Sequence, residues 1–434
     1  MNEISIDLSS IKKSKVLGKV LSSTGANIIA ELPIASIGDI VTIESNNGSI
    51  VAEVLGFSEN KVHLSPYTEI KGLTPGAKVT SGANKEELKL VSNLVGSLTD
   101  AYGNILIPSK IGSNQIQLKG SYPLFSPPAE LISREPINEP LWTGIRSIDA
   151  FTTIGKGQKL LMLAEPGVGK SSLLLSLCQS IEADLVIVAL IGERGREVIE
   201  FHKELVATGG NKKTIVVSST SDTSPLLKKR AALTAIRMAE IARDQGLNVF
   251  LAFDSLTRYI RALRDIGLSA GQMPVRRGYP ASVFDEIPKY IERSGKFSTG
   301  SITSIYTMLS SGDLEDDPLV EEVKGLTDGH LILSRKLAEE SHFPALHINQ
   351  SLSRVARRFY DDSDLQIIDS IRALYAELKE SRDILLLGGD SKGITRTEDK
   401  LSLIKDFLVQ NNNCSYNSND LRLELSKLYQ DLNT

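Results

Sequence analysis

Residues Leu160 to Ser172 read LLMLAEPGVGKSS, an apolar run, then a glycine-rich turn, with LLLSLC following on a helical spacing. A buried strand that turns this sharply into a helix restricts the chain to an open α/β sheet, with the turn at the carboxyl end of the strand. There the backbone N–H groups of the loop and the first turn of the helix form a concave anion site. Gly167 and Gly169 permit backbone conformations and close approaches that a Cβ would obstruct. Lys170 offers a cation to terminal phosphates, and Ser171 a hydroxyl to magnesium. Glu165, Pro166, Gly167, Val168, Gly169, Lys170, Ser171 and Ser172 are therefore the expected binding residues for ATP, with Mg2+ as its companion ion. The strict motif opens on Gly where this chain has Ala164, which is still small. The competing reading is a ligand-free turn, and the coincidence of strand, GVGKS and helix weighs against it.

The surrounding sequence continues the alternation. KLLMLA, DLVIVALIG, TIVVSST and NVFLAFD are near-continuous apolar or β-branched runs, as strands covered on both faces require. LLKKRAALTAIRMAEIARDQG, between the last two, places Leu233, Ile236, Ala239 and Ile241 on a helical period. Upstream, VLGKVL, ANIIAEL, DIVTIE, SIVAEVLGF and KVHLS follow one another between Gly, Asn and Pro, the pattern of a small β-barrel. Beyond Arg354, the segments Leu365–Leu387, Lys400–Leu408 and Leu421–Leu432 read as helices. A chain of 434 residues exceeds the size at which a single core stops growing. Three domains are expected: a β-barrel over 1–83, an α/β P-loop core over 84–353 and a helical domain over 354–434. The first boundary, near Ala83, rests on the turn-rich stretch TPGAKVTSGANKEE.

Phosphoanhydride hydrolysis needs an oriented water, a group to accept its proton and positive charge for the phosphate oxygens. Asp254 ends the run NVFLAFD, where a strand's carboxyl end places it beside magnesium, and Glu193 follows LVIVALIG in the string GERGRE. Either acid alone would pass for a surface residue; with the phosphate loop present, the functional reading is favoured. Arg194 and Arg196 flank Glu193 and either contact phosphate or form ion pairs at the strand end. Arg354, with Arg357 and Arg358, reads from the residues alone as a solvated basic face.

The strings AEPGVGKS, LIGERGREV, FDSLTRY, RRGYPASVF, GSITSIYTML, DGHLILSRKLAE and SLSR, in this order, resemble the flagellar and type III secretion ATPases, relatives of the catalytic subunit of the rotary ATP synthase. GERGREV is similar to the secretion branch, whereas the synthase subunit has a string like GERTREG. The resemblance implies a RecA-like core and a homohexamer with ATP between subunits. It makes Glu193 the residue that activates water, Lys170 the phosphate clamp, Ser171 and Asp254 the magnesium shell, and Arg354 a finger reaching a neighbour's site. Phe343 matches the position where relatives stack Tyr on adenine, and Tyr279 falls at the tip of a loop facing the central channel. Implied partners are stator-type and central-stalk-type proteins of the export apparatus, export substrates and their chaperones. In the helical domain the family's GEYQRG is replaced by GGDSKG over Gly388 to Gly393. A rotary ATPase subunit and a non-catalytic nucleotide-binding subunit are the rival readings.

Charge narrows the partners further. Lys and Arg number 49 against 53 Asp and Glu, so the net charge of -4 gives no field that gathers polyanions. Nor does the barrel interleave aromatic and basic residues as single-strand platforms do, so no nucleic-acid partner is expected. Cys178 and Cys414 lack metal-ligand spacing and read as reduced bystanders. The longest apolar run, Leu185 to Ile191, is too short to span a bilayer, so a cytoplasmic location with peripheral membrane association is expected.

Overall fold

A computed structural model describes residues 16–433, apart from 26, 59–60, 82–86, 111–115, 128, 310–317, 389–390 and 412–417. The expected boundary at Ala83, the Gly389–Asp390 step of GGDSKG and Cys414 lie outside the described residues.

Six strands close the amino-terminal barrel, in the order Val16–Thr24, Asn27–Glu31, Lys61–Pro66, Gly48–Ser58, Ile40–Ser45 and Lys78–Ser81. Alternate residues fill it, Ile28 and Ala30 from one strand and Val41 and Ile43 from another, all inaccessible to solvent. Register shifts at Val20/Ser22 and Val54/Gly56 bend the strands toward closure. The sixth strand was not among the five runs read from sequence. It is four residues long and contributes Val79 alone to the barrel core, too little for a periodic signal.

The central sheet is mostly parallel. Its path runs Leu352–Ser353, Gly329–Ile332, Lys159–Ala164, Ser301–Leu309, Asn248–Asp254, Leu185–Ile191, Thr214–Ser219, Leu98–Thr99 and Ile105–Ile107. Leu161 and Leu163 face one apolar cluster with the helix Pro225–Asp244, and Leu160 and Met162 face the other with the helix Lys170–Ser180. Burial on both faces explains why these strands read as continuous apolar runs. The helices Asp362–Gly388, Ser391–Leu408 and Ser418–Asn433 pack around Ile371, Tyr375, Ile404 and Leu425, and Phe407 meets Phe151 of the core edge-on at 6.3 Å. No helix among the described residues is long and apolar enough to cross a membrane. Cys178 is buried and its thiol is pushed up to about 12 by burial, an inert side chain.

Candidate active site

Four strands end side by side at one edge of the sheet: Lys159–Ala164, Ser301–Leu309, Asn248–Asp254 and Leu185–Ile191. The phosphate loop leaves the first of them and opens the helix Lys170–Ser180. Gly169 caps that helix with φ of 89°, and a Cβ there would stand 3.2 Å from the Phe343 ring. Glycine is thus needed twice over, for the left-handed backbone and for the close ring. Lys170 Nζ donates to Asp254 Oδ1 at 2.5 Å, and Thr307 Oγ1 donates to the same oxygen at 2.7 Å. A carboxylate this deeply buried needs such partners. Ser171 and Ser172 are exposed at the mouth of the loop.

Glu193 follows the neighbouring strand. Its side chain is largely enclosed, and burial, then the Asp254 carboxylate, raise its pKa above the ordinary 4.5. Arg258 Nε lies 3.5 Å from Glu193 Oε1, yet that oxygen has no aligned hydrogen-bond donor among the described residues. Two carboxylates and two cations, Lys170 and Arg258, therefore share one enclosed edge.

Sequence reasoning missed Arg258, and the signal for it is indirect. A Cβ on Gly192 would lie 2.6 Å from the Arg258 side chain, so the Gly before Glu193 is what lets the arginine close in. Arg194 and Arg196, by contrast, do not reach the other site residues. Both are exposed and pair within their own helix, with Glu197 at 3.3 Å and Glu200 at 2.7 Å. Of the two readings left open, the structure gives them the ion pairs, because the helix Gly195–Ala207 starts at once and carries the acids one turn on.

Phe343 is 38% exposed against the phosphate loop, with its carbonyl accepting from Gln410 N at 2.9 Å. At the loop's start, Glu165 pairs with Arg335 at 3.7 Å. His342, just before the ring, is 3% exposed, and burial, then Lys405 and Lys379, hold its imidazole down at about 4, against 6.5 ordinarily. A depressed imidazole favours the fold above its unfolded value and loses that contribution as pH falls. Stability is expected to drop by about 3 kcal/mol between pH 6.5 and 4 from this group, at 1.36 kcal/mol per unit. Urea unfolding across that range checks it, and His342→Leu should flatten this part of the slope.

Arg354 lies at the opposite end of the sheet. Its N–H donates to Asp328 O at 2.9 Å, and Asp328 N–H donates to Lys159 O at 2.7 Å. It therefore sits beside the first residue of the strand whose last residue opens the phosphate loop. At ~3.3 Å per residue the intervening strand spans about 16 Å, beyond the reach of an arginine side chain. Arg354 is exposed, and no ion pair engages its guanidinium among the described residues. Tyr279 is not at a loop tip: Arg277 and Gly278 turn the hairpin Pro274–Arg276/Tyr279–Pro280, and Tyr279 stands on the return strand with Arg264 5.5 Å over its ring.

No group of three or more His, Cys, Asp or Glu forms a cage for a metal among the described residues. A magnesium ion does not need one, since it keeps waters and binds through one or two protein oxygens and the phosphates. Asp254 already attracts a cation, the Lys170 ammonium, and Ser171 stands open at the helix start, so the residues fit this ion.

Residues 144–353 match the profile of the ATP synthase alpha/beta family, nucleotide-binding domain, and residues 12–81 that of the ATP synthase alpha/beta family, beta-barrel domain. The flagellum-specific ATP synthase of Pseudomonas aeruginosa is 38% identical over 423 residues, covering 95% of this chain and 93% of that protein. Among solved structures, the assembled ATPase EscN of the enteropathogenic E. coli type III secretion system superposes with a TM-score of 0.86 at 36% identity, over 95% of this chain and 100% of that one. EscN in complex with its central stalk EscO gives a TM-score of 0.83, with the same identity and coverage.

Proposed function

This chain belongs to the flagellar and type III secretion ATPases, a branch of the ATP synthase α/β family, and from that premise we propose that copies of it close a ring, six to a turn, in which each subunit completes its neighbour's site. It is an ATPase whose hydrolysis is coupled to protein export. The single observation that carries the ring reading is the separation of Arg354 from its own phosphate loop by the whole length of a strand.

The loop amides and Lys170 bind the triphosphate, and Lys170 exchanges Asp254 for phosphate oxygens as it does so. Glu193 orients the water and takes its proton as the oxygen attacks the terminal phosphorus and the bond to the bridging oxygen breaks, giving ADP and phosphate. Its Oε1, which has no aligned hydrogen-bond donor among the described residues, supports this role. Ser171 and Asp254 would hold magnesium, which would supply positive charge to the phosphate oxygens. Arg258 balances the two carboxylates while the site is formed, and Arg354 of each copy brings a further cation to the next site. Phe343 stacks on the base. A central stalk like that of the EscN complex, stator-type proteins, export substrates and their chaperones are the partners, and the ring stands peripherally at the membrane base of the export apparatus.

Phosphate release from ATP by the purified chain should need magnesium and rise more steeply than linearly with protein concentration as rings form. A strictly linear dependence, or no release, refutes the reading. Phe343→Ala is expected to weaken ATP binding by about fivefold, the size of a lost ring contact of roughly 1 kcal/mol, with little change in kcat. Titration of the variant with ATP measures it.

A further inference from the structure

Among the described residues, the barrel is fastened to the core in part at the start of one helix. Ser224 begins Pro225–Asp244: its hydroxyl accepts from Leu227 N at 3.3 Å and donates to the carbonyl of Tyr67, a residue of the barrel side, at 2.9 Å. One turn on, Lys229 Nζ lies 3.4 Å from Glu53 Oε1, and Glu53 Oε2 accepts from Tyr67 OH at 2.8 Å. Glu53 and Tyr67 are 6% and 2% exposed, so this carboxylate is held inside by one partner from each side of the junction.

The turn over 220–224, which leads into that helix, also holds the backbone of Glu193. Ser221 N–H donates to Glu193 O at 2.9 Å, and Gly192 N–H donates to Ser219 O at 2.6 Å. The turn is closed on itself: Lys228 Nζ donates to Ser221 O at 2.9 Å, Thr223 Oγ1 to Thr220 O at 2.8 Å, and the Ser219 and Thr223 hydroxyls meet at 2.7 Å. Strand end, turn and helix start form one rigid piece, gripped on one side by the barrel and gripping Glu193 on the other.

We propose that Glu53, Tyr67 and Lys229 are positioning residues for hydrolysis, a latch through which the barrel sets the placement of Glu193. This rests on reading Glu193 as the residue that acts on the water. Movement of the barrel relative to the core is then transmitted to the proton acceptor rather than to the phosphate loop, which hangs from a different strand.

The test compares Glu53→Gln, which keeps an acceptor for Tyr67 but loses the charge facing Lys229, with Lys229→Met and Lys229→Arg. Assays run at concentrations where sedimentation shows equal ring populations. Glu53→Gln and Lys229→Met should each lower kcat about tenfold, equivalent to 1.36 kcal/mol in the barrier, while KM for ATP stays within about twofold; Lys229→Arg should restore kcat. Unchanged kcat beside a lowered melting temperature would make the latch merely structural and overturn the proposal. So would a rise in KM matching the fall in kcat, or failure of both charge-removing variants to form rings. Normal turnover in Glu193→Gln would instead remove the reading of Glu193 itself, so the two failures are told apart.

Discussion

Glu193→Gln should bind ATP with near-normal affinity and turn it over about a hundred- to ten-thousand-fold more slowly, the range that loss of a positioned proton acceptor commands. The substitution is nearly isosteric, and the phosphate loop and Lys170 follow a different strand, so ground-state binding is left in place. It also removes a carboxylate that burial and Asp254 disfavour in its charged form, so no loss of fold is expected from it. In the wild type the same shift governs pH. The acceptor must be unprotonated, and its pKa is raised, so the acidic limb of the kcat profile should lie above the ordinary glutamate value of 4.5. Stopped-time phosphate assays across pH read both effects. A variant retaining most of its turnover would assign the chemistry elsewhere. Lys170→Ala is the harsher change, since it also strips the buried Asp254 carboxylate of its cation, leaving Thr307 as the hydroxyl beside it.

What could be read in advance follows from how local each signal is. The phosphate loop is contiguous, and its strand, turn and helix constrain one another over thirteen letters; Asp254 and Glu193 each end an apolar run. The strand Ser301–Leu309 lies between the phosphate loop strand and that of Asp254, yet its SITSIYTML does not read as an apolar run. Three of its hydroxyls are buried and bonded, Ser301 to Asn248, Thr303 to Gly157 N–H and Thr307 to Asp254, and polarity satisfied in this way is invisible to a hydropathy pattern. Arg258 escaped for a related reason: it stands on the helix Leu256–Ser269 while its partner follows the strand Leu185–Ile191, and the trace left in sequence is an absent side chain at Gly192. Arg194 shows the converse, a cation beside an acid in sequence whose helical direction turns it to solvent and to Glu197.

Arg354→Ala should lower turnover by about a thousand- to a hundred-thousand-fold, as removal of an arginine finger does, with ring formation and ATP binding preserved. Inside its own subunit the side chain has no reason to matter: it is exposed, no ion pair engages it among the described residues, and a full strand separates it from the loop. A large effect can only arise at a neighbour's site, and mixing isolates that. In a head-to-tail ring each site combines the Glu193 of one copy with the Arg354 of the next, so two inactive chains can rescue each other. Equal amounts of Arg354→Ala and Glu193→Gln, allowed to exchange subunits, should leave about one interface in four with both groups intact and recover activity to a corresponding level. The order of components fixes the geometry as well: the rescued interface always takes Glu193 from the Arg354→Ala chain and Arg354 from the Glu193→Gln chain. A mixture as inactive as its parts, under conditions where labelled subunits are seen to exchange, would return Arg354 to the solvated basic face and leave the site complete within a single copy.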